Sequence, residues 1–169
     1  MGDVLDEITR CVPALRRYAR ALTHDRDSAD DLVQDCLERA IRKRSLWRPL
    51  GPIRPWLFRI LLNLHRNELR HRRRTPVAVP MEGLGDGPAA SGSQHERAAL
   101  AETARAMASL PEEQREALLL VAVEGFNYAE AAKILEIPVG TLMSRLGRAR
   151  AALRQMTSES GRPALKAIK

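Results

Sequence analysis

Acidic side chains are concentrated in one short stretch of this sequence, and basic side chains in a later one. Residues 25–38 contain six Asp or Glu and one Arg, whereas residues 54–74 contain seven Arg and one Glu. Polyanions are attracted by the second stretch and repelled by the first. The chemistry therefore suggests a nucleic-acid surface in the basic stretch and a surface for a basic protein in the acidic one.

The acidic stretch also has the spacing of an amphipathic helix. Apolar side chains recur every three or four residues over 28–44, which predicts one buried face: Ala29, Leu32, Val33, Cys36, Leu37, Ala40 and Ile41. The opposite side carries groups that can pair with cations of another protein: Asp31, Gln34, Asp35 and Glu38. The alternative is a solvated face that complements the dipole of the helix N-terminus, with Asp27 as the N-cap.

The basic stretch carries amides among its arginines. Polar residues recur every three or four positions on one face of a helix predicted to start at Pro55: Arg59, Asn63, Arg66, Asn67 and Arg70. Arginine binds phosphate and asparagine can read adenine, so this face is predicted to lie along nucleic acid. Trp47 and Trp56 flank the preceding loop and are candidates to stack on an extruded base, although core packing is the commoner role of tryptophan.

A second candidate DNA-binding element lies near the C-terminus. The segment YAEAAKILEIPVGTLMSRLGRARAALR has a short helical pattern, a break around 136–138 and a longer basic helix, the layout of a helix-turn-helix. One face of the longer helix carries side chains suited to a major groove: Thr141, Ser144, Arg145 and Arg148. Residues 139–169 hold seven basic and one acidic side chain, which favours DNA binding over a merely solvated face.

Only helices are predicted to position these surfaces. Pro13 is predicted to start a helix that runs to Thr23 after a shorter one. Later helices are predicted to begin at Pro111, at an Asn127 with Glu130 capping box, and at Pro138. The last of these is expected to bury Val139, Leu142, Leu146, Ala149 and Leu153. No strand pattern competes, so we expect an all-α fold of two small helical domains, the second containing the helix-turn-helix.

A segment rich in Pro, Gly, Ser and Ala separates the two predicted domains. It reads TPVAVPMEGLGDGPAASGSQH, contains no Lys or Arg, and is predicted to be a flexible linker. The predicted organisation is an N-terminal domain over 1–74, the linker over 75–95, a C-terminal domain over 96–157 and a basic tail over 158–169.

Composition excludes several classes of protein. The 169 residues have a formal net charge of +7 and no apolar run near the length of a membrane span. Cys11 and Cys36 are too few for a disulfide framework, and the four His are dispersed. No phosphate-binding Gly motif or catalytic triad is present. We therefore expect a cytoplasmic protein without membrane insertion that is not an enzyme, with no catalytic residues, metal or cofactor.

Three stretches in this order resemble the extracytoplasmic-function class of bacterial sigma factors, the promoter-recognising subunits of RNA polymerase. They are DRDSADDLVQDCLERA, then RPWLFRILLNLHRNELRHRRR, then LPEEQREALLLVAVEGFNYAEAAKILEIPVGTLMSRLGRAR across the linker. The resemblance spans nearly the whole chain outside the linker and the last residues. One helix-turn-helix is a modest signal, whereas three ordered motifs at this spacing are a strong one.

The resemblance implies a role for each surface. The acidic helix would bind the clamp helices of the polymerase largest subunit through Asp30, Asp31, Gln34 and Asp35. The next loop and helix would melt and read the −10 element through Trp56, Arg59, Asn63, Arg66, Asn67 and Arg70. The second domain would read the −35 element through Thr141, Ser144, Arg145 and Arg148. The linker would run toward the polymerase active-site channel, and an anti-sigma factor would be a further partner.

Some positions depart from the usual pattern of that family. Glu136 stands where relatives commonly have Gly in the turn, which implies a backbone cost. Met143 and Gly147 replace a basic and a larger side chain, respectively, which alters the expected −35 preference. Two other functions are weighed: a helix-turn-helix regulator acting on duplex DNA, and a sigma-mimicking regulator that binds an anti-sigma factor. The acidic helix beside a basic one favours the sigma factor.

Overall fold

Helices account for all regular structure in the ranges that the computed structural model describes, which are residues 4–46, 51–74 and 93–159. They form two compact units, one built on the first three helices and grouped with residues 133–136, and one on the rest of residues 93–159. The all-α prediction is confirmed. Residues 75–92 of the predicted linker, and Trp47, lie outside the described ranges.

Three helices build the first unit. They are α1 (Val4–Thr23), α2 (Arg26–Arg42) and α3 (Ile53–Arg74), and a short 3₁₀ turn at Arg44–Leu46 follows α2. Each helix packs against the other two. Tyr18 of α1 and Phe58 of α3 are both fully buried, with ring centroids 5.2 Å apart and tilted by 59°. This aromatic pair anchors α1 to α3 at the centre of the core.

The buried stripe of α2 agrees with the predicted one at five of seven positions. Ala29, Leu32, Val33, Cys36 and Ala40 are buried, whereas Leu37 is half-buried and Ile41 is exposed. On α3 the helix starts at Ile53, two residues before the predicted Pro55, and its buried residues are Ile53, Leu57, Phe58, Leu61, Leu62 and His65. Two neighbouring helices pack against α3, so more of its circumference is covered than a single stripe.

Pro13 lies inside α1, so the predicted helix start at this residue is wrong. The helix continues through it because one apolar stripe crosses it without interruption, from Ile8 and Cys11 to Leu15 and Leu22. A proline inside a helix costs about 3 kcal/mol through its lost hydrogen bond and its ring. Burial of the stripe offsets that cost, and Pro13 itself is exposed.

The N-cap of α2 is Asp25 rather than the predicted Asp27. The Asp25 carboxylate accepts a hydrogen bond from the Ser28 backbone N–H at 2.8 Å, and its backbone is extended. His24, just before it, has φ of +56°, and this left-handed residue ends α1 and turns the chain into the cap. Hydrogen bonds from Ser28, first that of its side chain and then that of its backbone N–H, hold the pKa of Asp25 below its usual value. Asp27 instead occupies the first turn of the helix.

The helices of the second unit are α4 (Gln94–Ser109), α5 (Glu112–Leu118), α6 (Tyr128–Leu135) and α7 (Val139–Glu159). A capping box between Ser93 and Glu96 starts α4, two residues inside the predicted linker. The last turn of α5 widens into a π-helical turn over Leu119–Val123, where the Glu124 N–H donates to the Leu119 carbonyl at 3.0 Å. Both α4 and α5 pack against α7.

The predicted capping box that opens α6 is present. The Glu130 N–H donates to Asn127 Oδ1 at 2.9 Å, and the Asn127 N–H donates to Glu130 Oε2 at 3.0 Å. Leu142, Leu146 and Ala149 of α7 are buried as predicted. Val139 is 43% exposed and Leu153 is half-buried, so the prediction that they are buried is wrong. Val139 is the first residue of α7, where the helix is not yet covered by its neighbours.

Replacing Asn127 by Ala should destabilise the second unit by about 1 kcal/mol, because the Glu130 backbone N–H at the start of α6 loses its side-chain acceptor. The measurement is a thermal or urea unfolding curve of the full chain. Asn127→Asp, which keeps a side-chain acceptor, is the matched control and should lose much less. Equal losses in both variants would contradict the capping role.

Candidate functional site

The acidic surface lies on the N-terminal half of α2. Asp31, Gln34 and Asp35 are all exposed, and Gln34 Nε2 donates a hydrogen bond to Glu38 Oε1 at 3.3 Å. Glu38 also lies 3.7 Å from an Arg42 nitrogen. Because the core of the unit takes the opposite face of α2, these polar side chains project to solvent. We call Asp31, Gln34 and Asp35 the acidic face of α2.

Asp30 differs from the three residues of the acidic face. It is half-buried, and its Oδ1 lies 3.9 Å from Arg16 Nε and 4.0 Å from an Arg20 terminal nitrogen, both on α1. The structure therefore brings three of the four predicted polymerase-binding residues together and turns the fourth toward α1. Asp30 directly follows the buried Ala29 and lies three residues before the buried Val33, so it borders the apolar stripe of α2. Its side chain is therefore less exposed than those of the acidic face.

The basic surface follows α3 along its whole length. Arg59, Asn63, Asn67 and Arg70 are exposed, Arg66 and Trp56 are half-buried, and Arg70 donates a hydrogen bond to Asn67 Oδ1. The predicted periodicity thus places the arginines and amides on one solvent-facing side. Trp56 has part of its surface in the core and part accessible, as a stacking platform would require.

Two residues that the sequence reasoning did not select belong to the same surface. His71 and Arg74 line a shallow depression together with Asn67 and Arg70. The sequence does indicate this grouping, because the four residues that line the depression follow the three- and four-residue spacing of one helical face. The run of arginines at 72–74 obscured it, since consecutive charges point in different directions around a helix.

The helix-turn-helix is formed by α6 and α7. Glu136, in the turn between them, has φ of +58°, the left-handed conformation that favours glycine. The predicted backbone cost is therefore present. Ala132 and Leu135, near the end of α6, are buried.

The exposed side of α7 contains three of the four predicted base-reading residues. Thr141, Ser144 and Arg148 are exposed, and the Ser144 hydroxyl donates to the Gly140 carbonyl at 3.1 Å. Arg145 differs, because its side chain is only 17% exposed and a terminal nitrogen lies 3.0 Å from Glu113 Oε2 on α5. Residue 145 is adjacent to the buried stripe of α7, so its side chain extends along α5 before it reaches solvent. Met143, at 55% exposure, adds an apolar group to this side of the helix.

The two buried thiols have perturbed pKa values. Burial raises the pKa of Cys36 from its ordinary 9.0 to about 12, and its Sγ lies 3.5 Å from the Leu57 carbonyl oxygen. Burial also raises the pKa of Cys11, opposed by the nearby Arg54 charge. Within the described ranges, no group of three or more His, Cys, Asp or Glu is placed to hold a metal ion. None of the described helices has the length and apolar content needed to cross a membrane.

Comparison with known proteins defines the class. Residues 8–62 match the family model for the sigma2 domain of PhyR, and residues 100–153 match the model for region 4 of sigma-70. The chain is 40% identical over 148 residues to the ECF RNA polymerase sigma factor EcfG of Rhodopseudomonas palustris. This alignment covers 88% of this chain and 81% of that protein. The chain is also 34% identical over 142 residues to SigM of Mycobacterium tuberculosis, covering 84% and 70%.

Solved structures agree with the sequence matches. The sigma factor RpoE of Bartonella quintana, solved in complex with the anti-sigma factor NepR, superposes with a TM-score of 0.82 at 34% identity and covers 94% of this chain and 98% of that one. CnrH, solved with the cytosolic domain of CnrY, gives 0.69 at 29% identity, covering 94% and 91%. Two helical units, the second a helix-turn-helix, define a sigma factor of the sigma-70 type.

The chain belongs to the extracytoplasmic-function family of RNA polymerase sigma factors. It binds core RNA polymerase and directs it to promoters. The relatives are a class of proteins without catalytic activity of their own, and the sigma-factor interpretation of the sequence is confirmed.

Replacing Gly147 by Ala should stabilise the second unit by roughly 0.5–1 kcal/mol. A Cβ at this exposed helical position meets no atom within 4 Å, and glycine costs a helix interior about that amount relative to alanine. The measurement is the unfolding free energy in urea, with Gly125→Ala as the contrast. Gly125 has φ of +72°, so that substitution should destabilise. Destabilisation by Gly147→Ala would show a packing constraint that the structure lacks.

The native chain should react slowly with a thiol reagent at pH 8, because both cysteines are buried and their raised pKa values keep them protonated. In denaturant, both thiols of each chain should react rapidly with the reagent. A raised thiol pKa contributes stability that is present below pH 9.0 and is lost as the pH rises toward 12. Rapid labelling of the native chain, confirmed by Cys36→Ala to be at Cys36, would contradict this burial.

Proposed function

We propose that the acidic face of α2 binds the clamp helices of the polymerase largest subunit, while α3 and α7 contact the promoter. The observation that carries this proposal is the charge separation within one small unit, where exposed acids lie on α2 and exposed arginines and amides on the neighbouring α3. An acidic helix beside DNA would repel it, so the acidic face is best suited to a basic protein surface. Asp30 contributes mainly by holding α1.

At the −10 element, α3 is proposed to bind a separated strand. Arg59 and Arg70 would pair with phosphates, and the amides of Asn63 and Asn67 would read bases on the unstacked strand. Arg66 and Trp56, both half-buried, are fixed by packing and would border the site of an extruded base. Melting is then driven by binding energy, since the chain gains contacts to bases that only an open duplex offers.

At the −35 element, α7 is proposed to enter the major groove. Thr141, Ser144 and Arg148 present hydroxyls and a guanidinium to the DNA, and Arg145 reaches a base edge from the flank of the helix. Met143 supplies an apolar contact suited to a thymine methyl group. The organisation proposed is a polymerase and −10 domain over 1–74, a tether over 75–95, a −35 domain over 96–157 and a basic tail over 158–169. The tether would run toward the active-site channel.

An anti-sigma factor is a further proposed partner. The relatives RpoE and CnrH were solved bound to NepR and to the cytosolic domain of CnrY, respectively. A protein of this kind would inhibit the chain by covering the acidic face of α2 and the exposed side of α7. Because the polymerase and the promoter are cytoplasmic, we propose that the chain acts there.

A sigma-mimicking regulator is the second candidate function. The match of residues 8–62 to the sigma2 domain of PhyR favours it. The response regulator PhyR of Brucella abortus is 27% identical with a TM-score of 0.54, and this chain covers 42% of it. A mimic would bind the anti-sigma factor but neither core polymerase nor promoter DNA, so measurement of core binding separates the two candidates.

Reversing two charges on the acidic face should abolish core binding. Asp31→Lys with Asp35→Lys places cations where the proposed partner is basic, and like charges across an interface cost several kcal/mol. The dissociation constant for core polymerase, measured by fluorescence anisotropy with the full chain, is expected to rise at least about 100-fold.

The matched control is Asp6→Lys with Asp27→Lys, which changes the net charge equally at exposed positions of the same unit. It should bind core polymerase within a few-fold of the unmodified chain. Equal loss in both variants would mean that net charge, rather than the acidic face, governs binding. Unchanged binding by the Asp31/Asp35 variant would remove the acidic face from the interface.

A further inference from the structure

The ion pair between Arg145 and Glu113 joins two helices at the edge of the proposed −35 surface. A terminal nitrogen of Arg145 lies 3.0 Å from Glu113 Oε2, within the range of a charge-assisted hydrogen bond. Glu113 occupies the first turn of α5, and α5 packs against α7. The acid therefore stands on a helix whose position relative to α7 is fixed by packing.

The two partners differ in their surroundings. The Arg145 side chain is 17% exposed and the Glu113 side chain 69%. The aliphatic part of Arg145 is thus covered, while the carboxylate that holds its end faces solvent. An arginine left free samples many rotamers, and a groove that needs one of them must order it on binding. In this chain, the ion pair with Glu113 orders the Arg145 side chain before DNA binds.

Stability does not explain this pair. An ion pair with one largely solvated partner contributes little to folding. A carboxylate beside a surface that binds phosphates also weakens DNA binding through repulsion. Orientation is what the pair supplies, because a guanidinium held at one terminal nitrogen keeps its fork geometry and offers its other N–H groups to a base edge.

We propose that Glu113 is a positioning residue for −35 recognition, which orients Arg145 toward one base pair. The proposal rests on the proposed reading role of Arg145. It makes Glu113 a determinant of specificity although it is not on the recognition helix. It also predicts that removal of the carboxylate lowers discrimination between bases without lowering affinity for non-specific DNA.

The test uses holoenzyme reconstituted from core polymerase and the full chain. A −35 sequence is first selected from a randomised library by the unmodified holoenzyme. Binding is then measured to that promoter and to its single base-pair variants for four chains: Glu113→Ala, Glu113→Gln, Arg145→Ala and the double Ala variant. Urea unfolding of each chain checks that the fold is retained.

Arg145→Ala is expected to lower discrimination at one base pair by about 5- to 150-fold, the range of a lost bidentate contact. Glu113→Ala should lower discrimination at the same base pair by about 2- to 12-fold, the equivalent of ordering one long side chain. Glu113→Gln, which keeps a hydrogen-bond acceptor, should retain part of the discrimination that Glu113→Ala loses. In the Arg145→Ala chain, the further loss of Glu113 should have no effect on discrimination.

Three results would overturn the proposal. If Arg145→Ala lowers discrimination and Glu113→Ala does not, Arg145 reads DNA without help and only this inference fails. If Glu113→Ala lowers affinity for all DNA equally, its role is structural. If Arg145→Ala changes discrimination nowhere, the reading role of Arg145 and this inference fail together, whereas the −10 and polymerase roles are untouched.

Discussion

Packing of α1, α2 and α3 around one small core is the constraint on which the first unit depends. Three amphipathic helices must each bury an apolar stripe, and the Tyr18 and Phe58 rings fix α1 against α3. Once those stripes are buried, the polar sides of α2 and α3 face solvent. An acidic helix and a basic helix therefore lie next to each other with their charges outward. The surfaces proposed for polymerase and for promoter DNA follow from that packing.

In the second unit, burial of an apolar stripe likewise leaves the polar side of a helix exposed to solvent. Leu142, Leu146 and Ala149 bury one side of α7, which leaves hydroxyls, glycines and cations on the other. The turn before it contains a non-glycine residue in a left-handed conformation, Glu136, at some cost in free energy. The residues on either side of this turn are buried, Leu135 before it and Leu142 after it.

Sequence periodicity predicted the helices and most of the buried faces, since both follow from the helical repeat. It failed where a tertiary effect competes. The sequence predicts a helix start at Pro13, whereas α1 continues through this residue because apolar side chains are buried on both sides of it. The predicted N-cap of α2, Asp27, lies two residues after the observed one, because the left-handed His24 that precedes Asp25 has no signature in the sequence. The helix α4 was not located individually, since Ala106 is its only buried residue and Leu100 is 58% exposed.

The candidate surfaces were predicted residue by residue, but not their side-chain environments. A helical wheel places Arg145 with Thr141 and Ser144 on one polar side, and it contains no information about α5, whose Glu113 forms an ion pair with that arginine. It likewise places Asp30 near Asp31 without showing that α1 supplies Arg16 and Arg20 to its carboxylate. Contacts between helices distant in sequence decide these details, and they can be assigned only from the folded chain.

The central claim is that one small chain carries core polymerase to a promoter through separate acidic and basic faces. Run-off transcription measures this most directly, with purified core polymerase, the full chain and a template selected by the reconstituted holoenzyme. The account predicts a transcript of defined start site that requires the chain. It also predicts that the Asp31→Lys with Asp35→Lys variant yields none, while the Asp6→Lys with Asp27→Lys variant supports it. A defined transcript from the Asp31/Asp35 variant at the level of the unmodified chain would contradict the account.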